Sequence, residues 1–502
     1  MTVPDAAGGG PLPAPPRYRR VGLGLGAVLF AALLVLPPPE GLPLPAWRTA
    51  AMAVLMAVWW ASEALPVAAT ALLPLILVPL LGIGGMDDAA APFANPLIFL
   101  FLGGFVLALA MQRWNLHRRI ALAVVARSGR RPEGLIAGFM AATAFLSMWV
   151  SNTATTMMML AIAVSVVGVV ARTPAAEDME DAANAARTPA RNFATALMLG
   201  IAYAASIGGL ATLIGTPPNA LLAAFVAERT GTEIGFARWM AVGLPVSLLL
   251  LPVAWALLVR LVFPCAGAHT PDVAAIAEMR RAMGGPSAAE RRVAVVFALA
   301  ALAWIGRPFL ALVPPLDRLS DPTIAVAAAL ALFLIPSGTV KGQTLMNWDW
   351  ARRLPWGTLI LFGGGLSLAN AVAASGLAAW IGAALGGLAA WPSLLLVAAV
   401  AGIVLLLTEL TSNTATTATF LPVIAALAAG AGLAPLLLLV PAALAASCAF
   451  MLPVATPPNA IVHGSGHVTL PQMVRAGLWL NLAGLACVTA AAYWAVIVLL
   501  GA

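Results

Sequence analysis

Charge is what this chain has least of. Asp, Glu, Lys and Arg make up 9% of its 502 residues and hydrophobic residues 62%, whereas soluble domains carry about 25% charged residues. A soluble chain of this length would divide into about three domains, and too few polar residues are present to cover three cores. Lysine is nearly missing: of 26 basic residues all but Lys341 are arginine. The arginines sit in short clusters between apolar runs, not along a face interleaved with aromatics. That excludes a nucleic-acid interface despite the net charge of +7. Three scattered cysteines, Cys265, Cys448 and Cys487, exclude a disulfide framework and a paired-thiolate metal motif. Of the four histidines only His463 and His467 are spaced i, i+4, and that pair follows a span, where it reads as interfacial.

What the chain does have is long apolar runs, such as 49–60, 67–81, 96–111 and 394–407. Runs merging into stretches of about 20 residues read as membrane-spanning helices. The expected fold is an all-α polytopic membrane protein. Spans are predicted near 21–36, 47–64, 65–83, 96–112, 193–227, 238–263, 293–312, 322–336, 357–386, 434–462 and 471–500. Residues 1–16 are rich in Pro and Gly, and with Arg17, Arg19 and Arg20 they are expected to form a disordered cytoplasmic tail over 1–20. The run 21–36 has the layout of a signal peptide but no small-residue cleavage pattern after it, so it reads as an uncleaved first span. Gly22, Gly24 and Gly26 lie inside that span with no strand before them, and they read as helix packing, not dinucleotide binding.

Two further apolar stretches, 133–171 and 391–430, are too long for one crossing, and each is interrupted by polar residues at its middle. If each enters and leaves on the same side, eleven spans remain, with the N-terminus cytoplasmic and the C-terminus outside. The basic residues test this: 21 then fall on the cytoplasmic side and five (48, 229, 238, 307 and 318) on the other. That is the asymmetry expected of a correctly oriented membrane protein. A single crossing by either stretch would flip every later loop and degrade it.

The chain also repeats itself. Ser-Asn-Thr-Ala-Thr-Thr stands at 151–156 and again at 412–417, an offset of 261 that also aligns Phe101, Gly103, Gly104 and Leu107 with Phe362, Gly364, Gly365 and Leu368. Thr-Pro-Pro-Asn-Ala stands at 216–220 and 456–460, an offset of 240, the difference matching the polar segment 172–189 of the first half. The expected organisation is a first repeat over 21–263, with a re-entrant hairpin at 133–171 and a broken helix at 193–227. A cytoplasmic linker over 264–292 follows, and a second repeat over 293–502 carries a hairpin at 391–430 and a broken helix at 434–462. On this topology the first hairpin opens from the cytoplasm and the second from outside, so the repeats are inverted. Secondary transporters of that kind place their sites at the midplane between repeats.

The motifs suit small ions. Non-helical backbone at membrane depth is tolerated only where it is buried in protein or lines a wet cavity. The Asn oxygen, the hydroxyls and freed carbonyls suit a hard cation such as Na⁺. The amide hydrogens and the N–H groups of a following helix suit an anion. Consecutive prolines force the helix to break, next to small residues, Gly215 and Ala455, that let a ligand approach the backbone. Neither hairpin core nor either Thr-Pro-Pro region holds a Lys or Arg. A dianion bound there is costly unless cations bind with it, which points to cation-coupled anion uptake.

The paired Ser-Asn-Thr hairpins, the paired Gly/Ala-Thr-Pro-Pro-Asn breaks and the segment from Glu63 through Pro74 resemble the divalent anion:sodium symporter family over nearly the whole chain after the tail. The resemblance implies a homodimer in the bacterial cytoplasmic membrane. In it a scaffold carries a moving transport domain, an elevator, and Na⁺ is co-transported with C4-dicarboxylates such as succinate, malate and fumarate. Some members carry citrate or sulfate, and others exchange dicarboxylates. It implies that Asn152, Thr153, Asn413 and Thr414 contact the substrate carboxylates, flanked by Thr216, Pro217, Thr456 and Pro457. One sodium site would use Ser147, Ser151, Asn152 and the Gly215 carbonyl. The other would use Thr408, Thr411 (through its backbone), Asn413 and the Ala455 carbonyl. Thr216 departs from the serine of several bacterial members, which bears on substrate preference. Glu409, the one carboxylate within a hairpin core, reads either as a tuner of a sodium site or as a buried structural contact. A proton antiporter would need titratable carboxylates along its path. An intramembrane serine hydrolase acting through Ser151 or Ser412 would need a histidine within reach, and neither hairpin contains one.

Overall fold

The computed structural model describes residues 17–129, 131–170, 180–265 and 274–500. All regular structure among them is helical apart from one isolated bridge between Pro336 and Thr344. Eight helices are long and apolar enough to cross a membrane, beginning with Arg17–Val35 and ending with Leu470–Leu499. Shorter apolar helices, among them Pro132–Ser147, Ser393–Thr408 and Pro435–Ala446, lie between them. Helix is the form these runs must take, because it satisfies every backbone N–H and C=O within the segment where no water is at hand.

Several boundaries differ from the sequence expectation. Residues 17–20, expected in a disordered tail, open the helix Arg17–Val35; residues 1–16 lie outside the described residues. The span expected over 65–83 is divided into the helices Val67–Thr70 and Leu73–Leu80, the second with a proline in its first turn. The span expected over 357–386 ends as a helix at Ala374, and the chain restarts as Leu377–Ala384 after Gly376 in the left-handed region. The linker expected over 264–292 is shorter than it reads. Helix Ala288–Leu310 begins inside it, on a capping box in which Ser287 accepts from the Glu290 N–H and Glu290 accepts in return. Residues 266–273 of that linker lie outside the described residues. Upstream of the first break, Glu180–Gly209 is one helix through Pro189, so part of the polar segment 172–189 is helical, and 171–179 lie outside the described residues.

Four interruptions organise the rest. Helices Pro132–Ser147 and Asn152–Val170 are joined through 148–151, and Ser393–Thr408 and Asn413–Gly430 through 409–412. Glu180–Gly209 stops before Pro217–Thr230, and Pro435–Ala446 before Pro457–Gly464. In each half the helix before the break packs on that half's own helix pair, Glu180–Gly209 on Pro132–Ser147 and Pro435–Ala446 on Ser393–Thr408. The helix after the break crosses over. Pro217–Thr230 packs on Asn413–Gly430, and Pro457–Gly464 packs on Asn152–Val170. Two Thr-Pro-Pro starts and two Ser-Asn-Thr starts are thereby drawn into one region.

The two tips are not in equivalent surroundings. Trp149 is 9% exposed and Ile214 6%, whereas Leu410 and Val454, which stand at the repeat offsets from them, are 67% and 74% exposed. Trp149 stacks on Phe236 (5.9 Å between ring centroids) and meets Phe297 edge-on (5.1 Å), while Phe236 stacks on Trp304 (4.8 Å). Helix Ala288–Leu310, which carries Phe297 and Trp304, thus seals one tip.

Candidate functional site

Each Ser-Asn-Thr motif starts a helix. Asn152 and Asn413 are the first helical residues after their turns, and residues 151–153 and 412–414 are all half-buried. The hydroxyl of the residue five positions earlier meets each asparagine: Ser147 Oγ donates to Asn152 Oδ1 at 2.5 Å, and Thr408 Oγ1 lies 2.8 Å from Asn413 Oδ1. Ser147 and Thr408 are themselves fully buried. Thr408 Oγ1 also reaches the Ala446 carbonyl, the last helical residue before the second break, at 2.9 Å.

Gly209 shows how closely the first cluster converges. A Cβ on Gly209 would stand 2.9 Å from Asn152 Oδ1, 3.2 Å from Asn152 Nδ2 and 3.2 Å from the Gly215 carbonyl oxygen. The side chain of Asn152 and that carbonyl therefore share one small space, open because residue 209 has no side chain. With Ser147 they bring together three of the four residues expected at the first sodium site. The fourth, Ser151, accepts from the Ala154 N–H at 3.4 Å in the first helical turn. In the second cluster Thr411 Oγ1 donates to the Leu407 carbonyl (2.8 Å) and lies 2.5 Å from Thr416 Oγ1. Ala455 is buried, and its N–H bonds the Leu452 carbonyl. Among the described residues no hydrogen bond joins Ala455 to Thr408 or Asn413.

The breaks are built alike. Thr216 and Thr456 are buried N-caps in extended conformation, and Thr456 Oγ1 accepts from the Asn459 N–H at 3.3 Å. Pro217 and Pro457 follow at the first helical position, where a missing N–H costs nothing. Thr216 Oγ1 lies 3.4 Å from Ser447 Oγ, so the first break touches the second. Pro217 is half-buried and Pro457 exposed, an asymmetry of the same sense as that of the two tips.

Sequence reasoning left several structural residues unassigned. Asn219 and Asn459 belong to the repeated motif without an expected role, yet both are fully buried and donate to the unwound carbonyls upstream. Gly209 has no glycine at the offset of 240, where Ala449 stands, so no repeat signal marked it. Asn481 carried no motif at all, and it donates to Glu409 Oε1 at 2.7 Å. His463, the histidine nearest the second motif in sequence, turns its Nδ1 to the Val468 carbonyl at 3.0 Å.

The arrangement offers clusters of oxygen acceptors suited to hard cations beside helix N-termini that favour an anion, with no basic side chain among these residues. Known proteins give this arrangement a context. Residues 19–500 match the sodium:sulfate symporter transmembrane region. The sodium-dependent dicarboxylate transporter SdcS of Staphylococcus aureus strain USA300 is 42% identical over 484 residues, covering 96% of this chain and 92% of that protein, and SdcS of strain N315 matches equally. Among solved structures the YdaH transporter of Alcanivorax borkumensis superposes with a TM-score of 0.54 at 15% identity, covering 95% of this chain and 96% of that one. MtrF of Neisseria gonorrhoeae, one of a class of antimetabolite efflux pumps, gives 0.54 at 13% identity over 92% of this chain and 96% of its own. At such identities these two speak for the fold alone. From the match across almost its full length and the relatives that share it, the chain belongs to the sodium:sulfate symporter family, the divalent anion:sodium symporters that its motifs resemble, and is a membrane transporter.

Proposed function

We propose that the protein is a sodium-coupled symporter that takes C4-dicarboxylates such as succinate, malate and fumarate across a bacterial cytoplasmic membrane. The observation that carries this reading is a pair of Asn-centred acceptor clusters at helix N-termini without any Lys or Arg, in a chain 42% identical to a sodium-dependent dicarboxylate transporter. In it Asn152, Thr153, Asn413 and Thr414 hold the two carboxylates by side-chain and first-turn N–H donors, with Thr216, Pro217, Thr456 and Pro457 as flanking walls. Sodium at Ser147, Ser151, Asn152 and the Gly215 carbonyl, and at Thr408, Thr411, Asn413 and the Ala455 carbonyl, offsets the charge of the dianion. Each ion makes the other's transfer less costly, which is what couples their movement.

The helix pairs act as re-entrant hairpins of two inverted repeats in an eleven-span topology, with a cytoplasmic N-terminus and an external C-terminus. What supports this is the arginine asymmetry and the crossed packing of the post-break helices. Transport follows an elevator course, the site-bearing helices moving against a scaffold that includes Ala288–Leu310, in each protomer of a homodimer. The contrast between buried Trp149 and exposed Leu410 supports such a course, since a two-state element should leave one tip covered and the other free.

The test is uptake of labelled succinate into proteoliposomes of the purified protein. An inward sodium gradient drives accumulation, and uptake that persists unchanged with choline in place of sodium would sink the coupling. Competition by unlabelled malate, citrate and sulfate in the same vesicles ranks the substrates. Sulfate is included because the family takes its name from sodium:sulfate symport.

A further inference from the structure

The segment that follows the first post-break helix is fastened to neighbouring helices by three polar links. Helix Phe236–Ala256 has Gly235 at its N-cap and no side-chain cap of its own. Its first N–H, one of those a helix start leaves without an internal partner, is taken by Asp321 Oδ2 at 2.7 Å from another helix, Asp321–Leu334. Asp321 is spared for this because Ser320 caps that helix, accepting from the Thr323 N–H. Arg307, near the end of helix Ala288–Leu310, places Nη1 3.3 Å from Asp321 Oδ2 and donates from Nη2 to Glu233 Oε2 at 3.1 Å. A Cβ on Gly235 would stand 3.4 Å from both Arg307 Nη1 and Asp321 Oδ2, so the ion pair lies directly against the connecting segment. One helical turn earlier, Asn370 Nδ2 of helix Trp356–Ala374 donates to Glu228 Oε1.

These links join two groups of helices. Residues 231–235 connect Pro217–Thr230 with Phe236–Ala256, which packs on Pro132–Ser147, Glu180–Gly209 and Leu470–Leu500, so the segment belongs with the helices that carry the site. Arg307 and Asp321 belong to helices that pack on each other and on Pro96–Arg113. The second half serves as an internal control. Its post-break helix has 8 residues against 14 in the first, so it lacks the turn that carries Glu228. Its segment 465–469 closes on its own group of helices. Thr195 Oγ1 donates to the His467 carbonyl at 3.3 Å, and Gln472 Oε1 accepts from the Thr469 N–H at 2.9 Å. Among the described residues no ion pair or side-chain hydrogen bond ties 465–469 to helices outside that group. The fastening is one-sided, and the fold does not require it at this connection.

We propose that Glu233, Arg307 and Asp321 form a latch between the moving and the fixed helices, one that holds the endpoint with the Trp149 tip covered and the Leu410 tip open. This rests on the elevator reading given above. On that topology Arg307 lies at the outer surface and the second hairpin opens outward, so the latched endpoint is the one that loads from outside. The latch sits against the seal of the first tip. Phe236, whose N–H Asp321 holds, stacks on Trp304, and Trp304 Nε1 donates to the Asp321 carbonyl at 3.0 Å. When the site-bearing helices move inward, Glu233 and the Phe236 N–H leave together. Arg307 and Asp321 stay paired on the fixed side, so the buried carboxylate keeps its cation throughout and the large cost of stranding it does not arise. The groups that part can be hydrated. Glu233 is 72% exposed, and a cavity of about 260 Å³ lined by Glu233, Arg238, Trp304, Arg307 and Asp321 has room for water. The latch is thus firm enough to bias the endpoint and cheap enough to open in each cycle.

The experiment uses the full-length protein with Cys265, Cys448 and Cys487 replaced by alanine. Glu233→Cys combined with Arg307→Cys is joined by a short bifunctional methanethiosulfonate that dithiothreitol cleaves. In proteoliposomes the cross-linked protein should lose sodium-driven succinate uptake by about tenfold or more, as expected when a required conformational step is blocked, and recover it on cleavage. Its melting temperature in detergent should still rise with sodium. Uptake unchanged by the cross-link would overturn the latch. A second measurement needs no cross-link. Val150, beside Trp149 at the covered tip, is 1% exposed, and the labelling rate of Val150→Cys by a maleimide in detergent, without substrate, reports how often that tip is uncovered. Glu233→Gln should raise this rate about twofold and Arg307→Met about fivefold, within the range of partly exposed ion pairs, while Arg307→Lys stays nearer the wild type. Should Arg307→Met not fold, Glu233→Gln, at an exposed side chain, carries the test. Labelling at the wild-type rate in every folded variant would make the cluster an ordinary surface contact and overturn the proposal. The elevator reading fails separately: it falls if sodium with succinate leaves the labelling of both Leu410→Cys and Val150→Cys unchanged with Glu233 and Arg307 in place.

Discussion

Asn219 and Asn459 grip the two interrupted helices through the same geometry. Asn219 Nδ2 donates to the carbonyls of Gly209 at 3.0 Å and Thr212 at 2.8 Å, and Asn459 Nδ2 donates to those of Ala449 at 3.2 Å and Leu452 at 3.0 Å. The partners stand ten and seven residues upstream in both halves. A broken helix leaves carbonyls without intrahelical donors, and here each break is closed by the fourth residue of its own Thr-Pro-Pro-Asn motif. Both side chains are fully buried, and the Oδ1 of each has no hydrogen-bond partner among the described residues.

Replacing either amide by an apolar group of similar size should therefore cost stability before it touches ligand. Asn219→Leu or Asn459→Leu leaves the buried carbonyl of Gly209 or Ala449 without its donor, and leaves that of Thr212 or Leu452 with only the N–H of Gly215 or Ala455, a loss of about 1–3 kcal/mol. Thermal melting in detergent should fall for both, and Asn219→Asp, which turns an acceptor toward those carbonyls, should fall further. A melting curve like the wild type's would remove the clamp role.

Asn152→Ala and Asn413→Ala act differently. Each asparagine is half-buried at a helix start and faces the shared region, with Oδ1 held by one hydroxyl. Truncation should lower sodium-driven succinate uptake by about 100-fold or more, on the scale of losing charge-assisted contacts to two ions, and leave folding and oligomeric state intact by size-exclusion chromatography. Retained uptake in either variant would refute the assignment.

Gly209→Ala tests the convergence around the first cluster. The added methyl would lie 2.9 Å from Asn152 Oδ1, and relieving that overlap, at about 1–3 kcal/mol for an overpacked site, has to displace the asparagine or the Gly215 carbonyl. The half-maximal sodium concentration should rise roughly tenfold, the equilibrium equivalent of about 1.4 kcal/mol, toward the lower end of that range. An unchanged sodium dependence would separate Gly209 from the site.

The uneven tips make a labelling prediction. Leu410→Cys should react with a membrane-impermeant maleimide, and Trp149→Cys should be protected, in keeping with 67% and 9% exposure. Two of the three native cysteines, Cys265 and Cys448, are buried and add little background. If the site-bearing helices move as proposed, sodium with succinate should change the two reactivities in opposite directions. Parallel changes would count against exchange of cover between the tips.

Much of the molecule was legible before any coordinates. Apolar runs mark the helices because only intrahelical hydrogen bonding satisfies a backbone in lipid, and the Pro-Pro pairs mark the breaks because proline has no N–H to continue a helix. The repeats pick out Asn152, Asn413, Thr216 and Thr456 because a polar motif kept twice in an apolar chain stands out against its background. Spans 65–83 and 357–386 look continuous in sequence because a proline in a first turn and a left-handed glycine such as Gly376 change the path without changing hydropathy. The role of Gly209 was invisible, since what matters there is a missing side chain next to residues distant in sequence.

By itself, then, the sequence determined the medium, the secondary structure, the repeat and the residue types of the site, all properties of local pattern and of transfer from water. The tertiary structure decided which pieces meet: that each post-break helix crosses to the other half's Ser-Asn-Thr helix, that Trp149 is sealed while Leu410 is open, and that Glu409 is caged by Asn481 and three backbone N–H groups. Those are choices among near-equivalent partners in a chain of alanines and leucines. Close packing and the pairing of most buried polar groups settle them, and neither is a property of any single stretch.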